Sequence, residues 1–391
     1  MRDRFVLPEG TIYLDGNSLG AMPKATSPHL REVIERQWGE DLITSWNKHG
    51  WIDWPTRVAG KLAPIVGARP GELLIADSTT VCLFKLLAAA VAARPGRNTI
   101  LTEQGNFPTD LYAAQSLLEL QPQLQLKAVP ADEIIANLTD DVCVLFLTHV
   151  DYRSGARHDM AALTRAAHDV GALTLWDLSH SAGAVALDLN GSGCDLAVGC
   201  GYKYLNGGPG APAFIHVAEH LQGSLRSPLS GWMGHSSPFA FAPAYEPAAG
   251  IKRFLTGTPS ILSLAALKAG LDTFAGVDMQ DIERKAEELT RFFVESVGRL
   301  CGDELALQSP GDPAARGSHV VFAHAQGYAI MQALIARRII GDFRPPNLMR
   351  FGFAPLYNSF EEAWSAAVAL NAVLESAEWN QARFLAQLPV T

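Results

Sequence analysis

Asp195-Leu-Ala-Val-Gly-Cys-Gly-Tyr-Lys203-Tyr-Leu-Asn-Gly-Gly-Pro-Gly210 carries an apolar run straight into a glycine-dense turn, with one lysine between two tyrosines. Residues 196–199 read as a short buried strand, and six further runs share that character: 73–76, 99–102, 124–129, 142–147, 172–176 and 213–217. Between the earlier ones, residues 80–93, 109–120 and 160–170 place apolar side chains at helical spacing. Strands alternating with helices of this length imply βαβ crossovers, and so an α/β fold with a mainly parallel seven-stranded sheet.

Beyond Pro259 the pattern changes. Helical stretches at 261–274 and 279–300 precede a strand at 318–323, a helix near 328–338, a strand at 349–353 and a closing helix at 359–375. This predicts a smaller α+β domain over 259–391, a large domain over 55–258, and an N-terminal segment, 1–54, packed on both. The segment holds one amphipathic helix, about residues 24–38.

Composition narrows the function. The 391 residues are 48% hydrophobic and 18% charged, as in a globular protein with a sizeable core. A formal charge of −9 argues against nucleic acid or an anionic membrane as partner. Apolar runs are too short to span a bilayer, and Met1-Arg2-Asp3-Arg4 reaches Pro8-Glu9-Gly10 too soon for a secretory core. Five cysteines without a CxxC suggest a reduced, cytoplasmic protein with neither disulfides nor a metal centre.

Lys203 follows a buried strand, where desolvation lowers an ammonium pKa and makes the amine nucleophilic, as Schiff-base chemistry requires. Upstream, Leu173-Thr-Leu-Trp-Asp177-Leu-Ser-His180 puts Asp177 at the carboxyl end of a strand, where ligands of open α/β sheets sit. A helix N-cap is the plain alternative for that aspartate. Pyridoxal 5′-phosphate needs both groups: an amine for its aldehyde and a carboxylate against its ring nitrogen. Its phosphate needs donors at a helix N-terminus, which Asp77-Ser-Thr-Thr80 offers, although Ser and Thr also favour ordinary caps. Gly105-Asn-Phe107-Pro-Thr-Asp110 sets an aromatic face and a carboxylate at another strand end, where Phe107 is equally suited to the core. Trp46, Trp51 and Trp54 cluster with His49, either as core or as the lining of an aromatic pocket.

These motifs, in order along nearly the whole chain, resemble the kynureninases, pyridoxal phosphate enzymes of fold type I. The resemblance also draws on Asp15-Gly-Asn-Ser-Leu-Gly20, His149-Val-Asp-Tyr-Arg-Ser-Gly155, Gly231-Trp-Met-Gly-His235 and Pro355-Leu-Tyr-Asn-Ser-Phe360. It implies hydrolysis of L-kynurenine to anthranilate and L-alanine in tryptophan catabolism, by a homodimer whose cofactor site is shared. Lys203 would carry the cofactor, Asp177 pair with its ring nitrogen and His180 lie near its ring oxygen. Thr79, Thr80, Tyr202 and Trp232 would surround the phosphate, with Thr258 reaching over from the partner subunit. Phe107 would stack on the ring, and Asp110 and Thr148 complete its pocket. Arg350 would clamp the substrate α-carboxylate, and Ser18 and His49 would lie near the aromatic end; Tyr202 is the first candidate for general acid–base work.

Asp151, Ser154 and Gly201 depart from the family pattern and residues 254–259 vary between its branches, which leaves 3-hydroxykynurenine open as a substrate. The rivals are another enzyme of the same fold, a cysteine desulfurase or an aminotransferase, and a pyridoxal phosphate-binding protein without turnover. A desulfurase needs a nucleophilic cysteine on a mobile loop, and Cys301 stands between helical segments instead.

Overall fold

The computed structural model describes residues 1–386. Seven strands form the main sheet: β1 (Leu73–Ala76), β2 (Thr99–Glu103), β3 (Gln125–Val129), β4 (Val142–Thr148), β5 (Leu173–Asp177), β6 (Leu196–Gly199) and β7 (Ala213–Val217). Their spatial order is β1-β7-β6-β5-β4-β2-β3. β7 runs antiparallel to both its neighbours and every other pair is parallel. The sheet is therefore mainly parallel, as the alternation of strands and helices implies. β1 and β4 to β7 are buried along their full length, with layers on both faces, which is why they read as continuous apolar runs. The edge strand β3, expected to be buried, is instead exposed or half-buried except at Val129.

Helices α1 (Thr26–Glu32), α2 (Trp54–Val66), α3 (Thr79–Ala92), α4 (Pro108–Leu120) and α5 (Met160–Asp169) precede or cross over this sheet. Ser78 caps α3, its Oγ accepting from Val81 N, and Asp159 caps α5 through Ala162 N. The helix expected over 24–38 changes pitch midway: α1 gives way at Val33–Trp38 to a wider turn, in which Gly39 N donates to Ile34 O. Apolar periodicity does not separate the two pitches.

α6 (Ile261–Asp272) buries Leu264, Leu267 and Leu271 in the core beneath the main sheet. α7 (Met279–Cys301), α8 (Gly327–Ala336) and α9 (Phe360–Glu375) pack on a second, antiparallel sheet with its own core. Its strands β8 (Ala306–Leu307), β9 (His319–Ala323), β10 (Asp342–Arg344) and β11 (Leu348–Gly352) lie in the order β8-β9-β11-β10. The N-terminal segment touches both units. Ile12 and Tyr13 pair with Ile339 and Ile340, Leu14 sits in the second core, and Trp51 and Trp54 sit in the first.

Candidate active site

The site grows from the carboxyl edge of the main sheet. Thr148 ends β4, Asp177 ends β5, and the two are partners in the ladder. The turn after β6 presents Lys203. It is closed by Asn206, whose φ is 57° and whose N–H donates to Lys203 O at 2.9 Å. The N-terminal segment seals it from outside: Gly20 N donates to Tyr202 O at 2.8 Å, and a Cβ on Gly20 would fall 2.3 Å from Lys203 O. Only glycine allows that approach.

Lys203 Nζ lies 3.3 Å from His180 Nε2, 5.9 Å from the centre of the Tyr202 ring and 6.0 Å from that of Phe107. Phe107 opens α4, partly exposed, and meets Tyr152 edge-on with ring centres 5.1 Å apart. Asp110, in the first turn of α4, is buried, and Thr148 Oγ1 donates to its Oδ2 at 3.2 Å. Burial first, and the Asp177 carboxylate second, push Asp110 well above the ordinary carboxylate range. Burial raises Asp177 too, against the pull of the Ser179 N–H at 2.8 Å and of Lys203. Asp110 Oδ1 is buried without a hydrogen-bond partner. His180 is held neutral by burial and then by the Lys203 charge. The Tyr202 phenol is raised by burial and keeps its proton.

These groups fit pyridoxal phosphate. An amine is available for an aldehyde, and an aromatic face stands near that amine. Two buried carboxyls share the single charge of Lys203, which leaves a place for the charge of a protonated pyridine nitrogen. At the start of α3, Thr79 and Thr80 offer hydroxyls beside free backbone N–H groups. Trp232 is partly exposed, against Phe239 and Phe241. Thr258 is exposed, and with Asp77, Thr256 and Ser260 it lines a cavity of about 140 Å³.

A second cluster surrounds Arg350 on β11, which is 2% exposed. Asp342, directly opposite on β10, accepts Arg350 Nε at 2.7 Å and Nη2 at its other oxygen. Nη1 donates to Tyr152 O at 2.6 Å, and Nη2 also donates to Ser18 Oγ at 3.2 Å. Ser18 thus sits at the guanidinium. His49 stands apart, its Nε2 2.7 Å from Asp41 Oδ2, while Trp51 and Trp54 belong to the core.

Three residues here, buried Asp342 and His319 and half-buried Asp15, have no role assigned from the sequence. Asp342 pairs with Arg350 across a hairpin turn, so an alternating strand pattern with a turn at Pro345-Pro346 was its only signal. Asp15 is pushed up to about 7, by burial and then by Asp342. His319, on β9, has its ring centre 5.5 Å from that of His180, and burial followed by the Arg350 charge lowers it to about 3.

A family model for the kynureninase C-terminal domain matches residues 282–370. The chain is 50% identical to a kynureninase from Pseudomonas fluorescens, over 100% of this chain and 96% of that one. It is 49% identical to one from Burkholderia pseudomallei (strain 1106a), with the same coverage. Among solved structures, an apo cysteine desulfurase from Thermococcus onnurineus NA1 superposes with a TM-score of 0.80 at 19% identity, over 96% of this chain and 97% of that one. The cysteine desulfurase CsdA from Escherichia coli gives a TM-score of 0.78 at 18% identity, over 96% and 98%. At those identities the likeness concerns the fold alone.

Proposed function

The chain belongs to the kynureninase family, and from that premise we propose how its own residues hydrolyse L-kynurenine to anthranilate and L-alanine. Pyridoxal phosphate, when bound, supplies an electron sink that acidifies the substrate's Cα proton and weakens its Cβ–Cγ bond. Lys203 is the amine that carries the cofactor's aldehyde carbon between turnovers, and its freed Nζ takes the Cα proton. Asp177, backed by Asp110 and Thr148, keeps the ring nitrogen protonated. His180, neutral, hydrogen-bonds near the ring oxygen, and Phe107 covers the ring face. Thr79 and Thr80 hold the phosphate with the N–H groups of α3, near Tyr202 and Trp232. Tyr202, protonated at neutral pH, serves as general acid when water adds to the γ-carbonyl and the bond breaks.

Arg350 holds the substrate α-carboxylate. Asp342 grips the Nε/Nη2 edge of the guanidinium, so the Nη1/Nη2 edge, now occupied by Tyr152 O and Ser18 Oγ, is the one to receive it. We assign Ser18, whose Oγ accepts from Arg350 Nη2, to the carboxylate end rather than the aromatic end expected from the sequence, and His49 to the substrate's aromatic side. We assign the working form to a cytoplasmic homodimer in which Thr258 reaches the partner's cofactor, and the chain to units 1–54, 55–258 and 259–391. Among the described residues no helix is long and apolar enough to cross a membrane.

One observation carries the proposal: a buried pair of carboxyls, Asp110 and Asp177, beside Lys203 and His180 at one sheet edge. The desulfurase alternative lacks its nucleophile. All five cysteines are buried, and burial pushes the thiols of Cys143 and Cys301 up to about 11, away from thiolate at neutral pH. The test offers kynurenine, 3-hydroxykynurenine, cysteine and aspartate side by side to the cofactor-loaded protein. Anthranilate from kynurenine, far faster than sulfide or keto acid from the others, is the expected result. Sulfide from cysteine with no anthranilate would move the chain to the desulfurases.

A further inference from the structure

Lys85 lies in the middle of α3 and is wholly buried, yet no step above uses it. A lysine in the interior requires a partner. Its Nζ donates to Asp77 Oδ2 at 2.7 Å and to the Phe254 carbonyl. Asp77 links β1 to Ser78, Thr79 and Thr80, and has a φ of 48°, in the left-handed region that few residues other than glycine enter. Its second oxygen accepts Thr256 Oγ1 at 3.2 Å, and its backbone oxygen accepts Ala213 N at 3.0 Å. Thr256 O accepts Met233 N at 3.1 Å, and a Cβ on Gly231 would fall 2.3 Å from that carbonyl.

One buried ammonium thus fixes a carboxylate about which three segments are linked in series: Asp77 stands in the first, Thr256 of the second bonds to it, and Met233 of the third bonds to Thr256 O. The segments are the turn before α3, residues 254–258 with Thr258, and residues 231–234 with Trp232. The first and third carry residues assigned to this subunit's phosphate subsite, and the second carries Thr258, assigned to the partner's cofactor.

We propose that Lys85, acting through Asp77, is a positioning residue for the cofactor's phosphate subsite. It holds the Asp77–Thr80 turn in its left-handed entrance to α3 and keeps the 231–234 and 254–258 segments docked against it. The proposal rests on the reading that Thr79 and Thr80 hold the phosphate. In this role Lys85 itself touches no cofactor atom. Its removal leaves Asp77 without its counter-charge, so the turn relaxes and the phosphate donors lose their alignment.

The test compares dissociation constants of pyridoxal phosphate and of pyridoxal, which lacks the phosphate, on the full-length apoprotein by tryptophan fluorescence. In Lys85→Met the constant for pyridoxal phosphate rises about tenfold or more, the scale of one charge-assisted hydrogen bond. That for pyridoxal stays within about twofold, and Lys85→Arg recovers part of the loss. Equal losses for both ligands, or none for pyridoxal phosphate, overturn the proposal. Should Lys85→Met fail to fold, Thr256→Val carries the test, with an expected rise of about threefold confined to pyridoxal phosphate, and no rise overturns the proposal. Thr80→Val separates the two ideas. If it leaves the affinity for pyridoxal phosphate unchanged, the phosphate reading falls. If it loosens that cofactor while a folded Lys85→Met does not, the positioning role falls.

Discussion

Replacing Arg350 by lysine keeps the charge and removes the plane. In the structure the guanidinium spends Nε and one Nη2 proton on Asp342, one Nη1 proton on Tyr152 O and the other Nη2 proton on Ser18. A lysine ammonium has three donors on a single atom. It can keep one contact with Asp342 but cannot offer two parallel N–H groups to a substrate carboxylate. Losing one charge-assisted hydrogen bond costs about 1.5–3 kcal/mol, and each 1.4 kcal/mol is about tenfold. KM for kynurenine should therefore rise roughly ten- to a hundredfold, with a smaller change in kcat, because the carboxylate is held equally before and during bond breaking. Initial rates followed by anthranilate fluorescence give both constants, and the absorption spectrum reports bound cofactor, which should be unchanged. Arg344 Nη2, 2.8 Å from Asp342 Oδ2, remains to balance the buried carboxylate, so the variant should still fold. A KM equal to the parent's would show that another group holds the substrate carboxylate.

Asp177→Asn should retain cofactor while losing turnover by orders of magnitude, because a neutral amide no longer holds the ring-nitrogen proton. Exchange of the substrate's Cα hydrogen in deuterated water follows the affected step, and undiminished exchange would reduce Asp177 to a structural cap. Asp15 yields a prediction about pH. Its folded pKa of about 7 lies above the ordinary value near 4, so the stability it contributes is full below about pH 4 and is lost as pH rises through about 7. Asp15→Asn should flatten that decline in urea midpoints measured between those limits. Parallel curves for parent and variant would show that Asp15 is not the group that titrates.

The main sheet was legible because its central strands are buried on both faces and so appear as unbroken apolar runs bounded by turns. The spans 73–76, 196–199 and 213–217 coincide with β1, β6 and β7 to the residue. Lys203, Asp177, Phe107 and Asp110 stood out because each sits at or beyond a strand's carboxyl end or at a helix start, positions that the pattern itself marks, whereas Thr148 and His180 were named through the family resemblance. The Arg350 partners were hidden for the opposite reason. Asp342 meets Arg350 only through hairpin register, and Ser18, named at the aromatic end, reaches the pair from the other end of the chain. Periodicity fixes which faces are apolar but carries no information about which distant polar groups share a buried pocket. The pitch change at Val33–Trp38 was hidden likewise, since both pitches keep the same residues near one face.

Every step of the proposed chemistry depends on Lys203 as the cofactor's point of attachment. Borohydride reduction of the cofactor-loaded protein, then proteolysis and mass spectrometry, would locate the trapped group directly. A pyridoxyl-phosphate mass increment is expected on the peptide containing Lys203, and its absence in Lys203→Ala together with loss of anthranilate formation. An increment on another lysine, Lys85 included, or full anthranilate production by Lys203→Ala, would contradict that assignment.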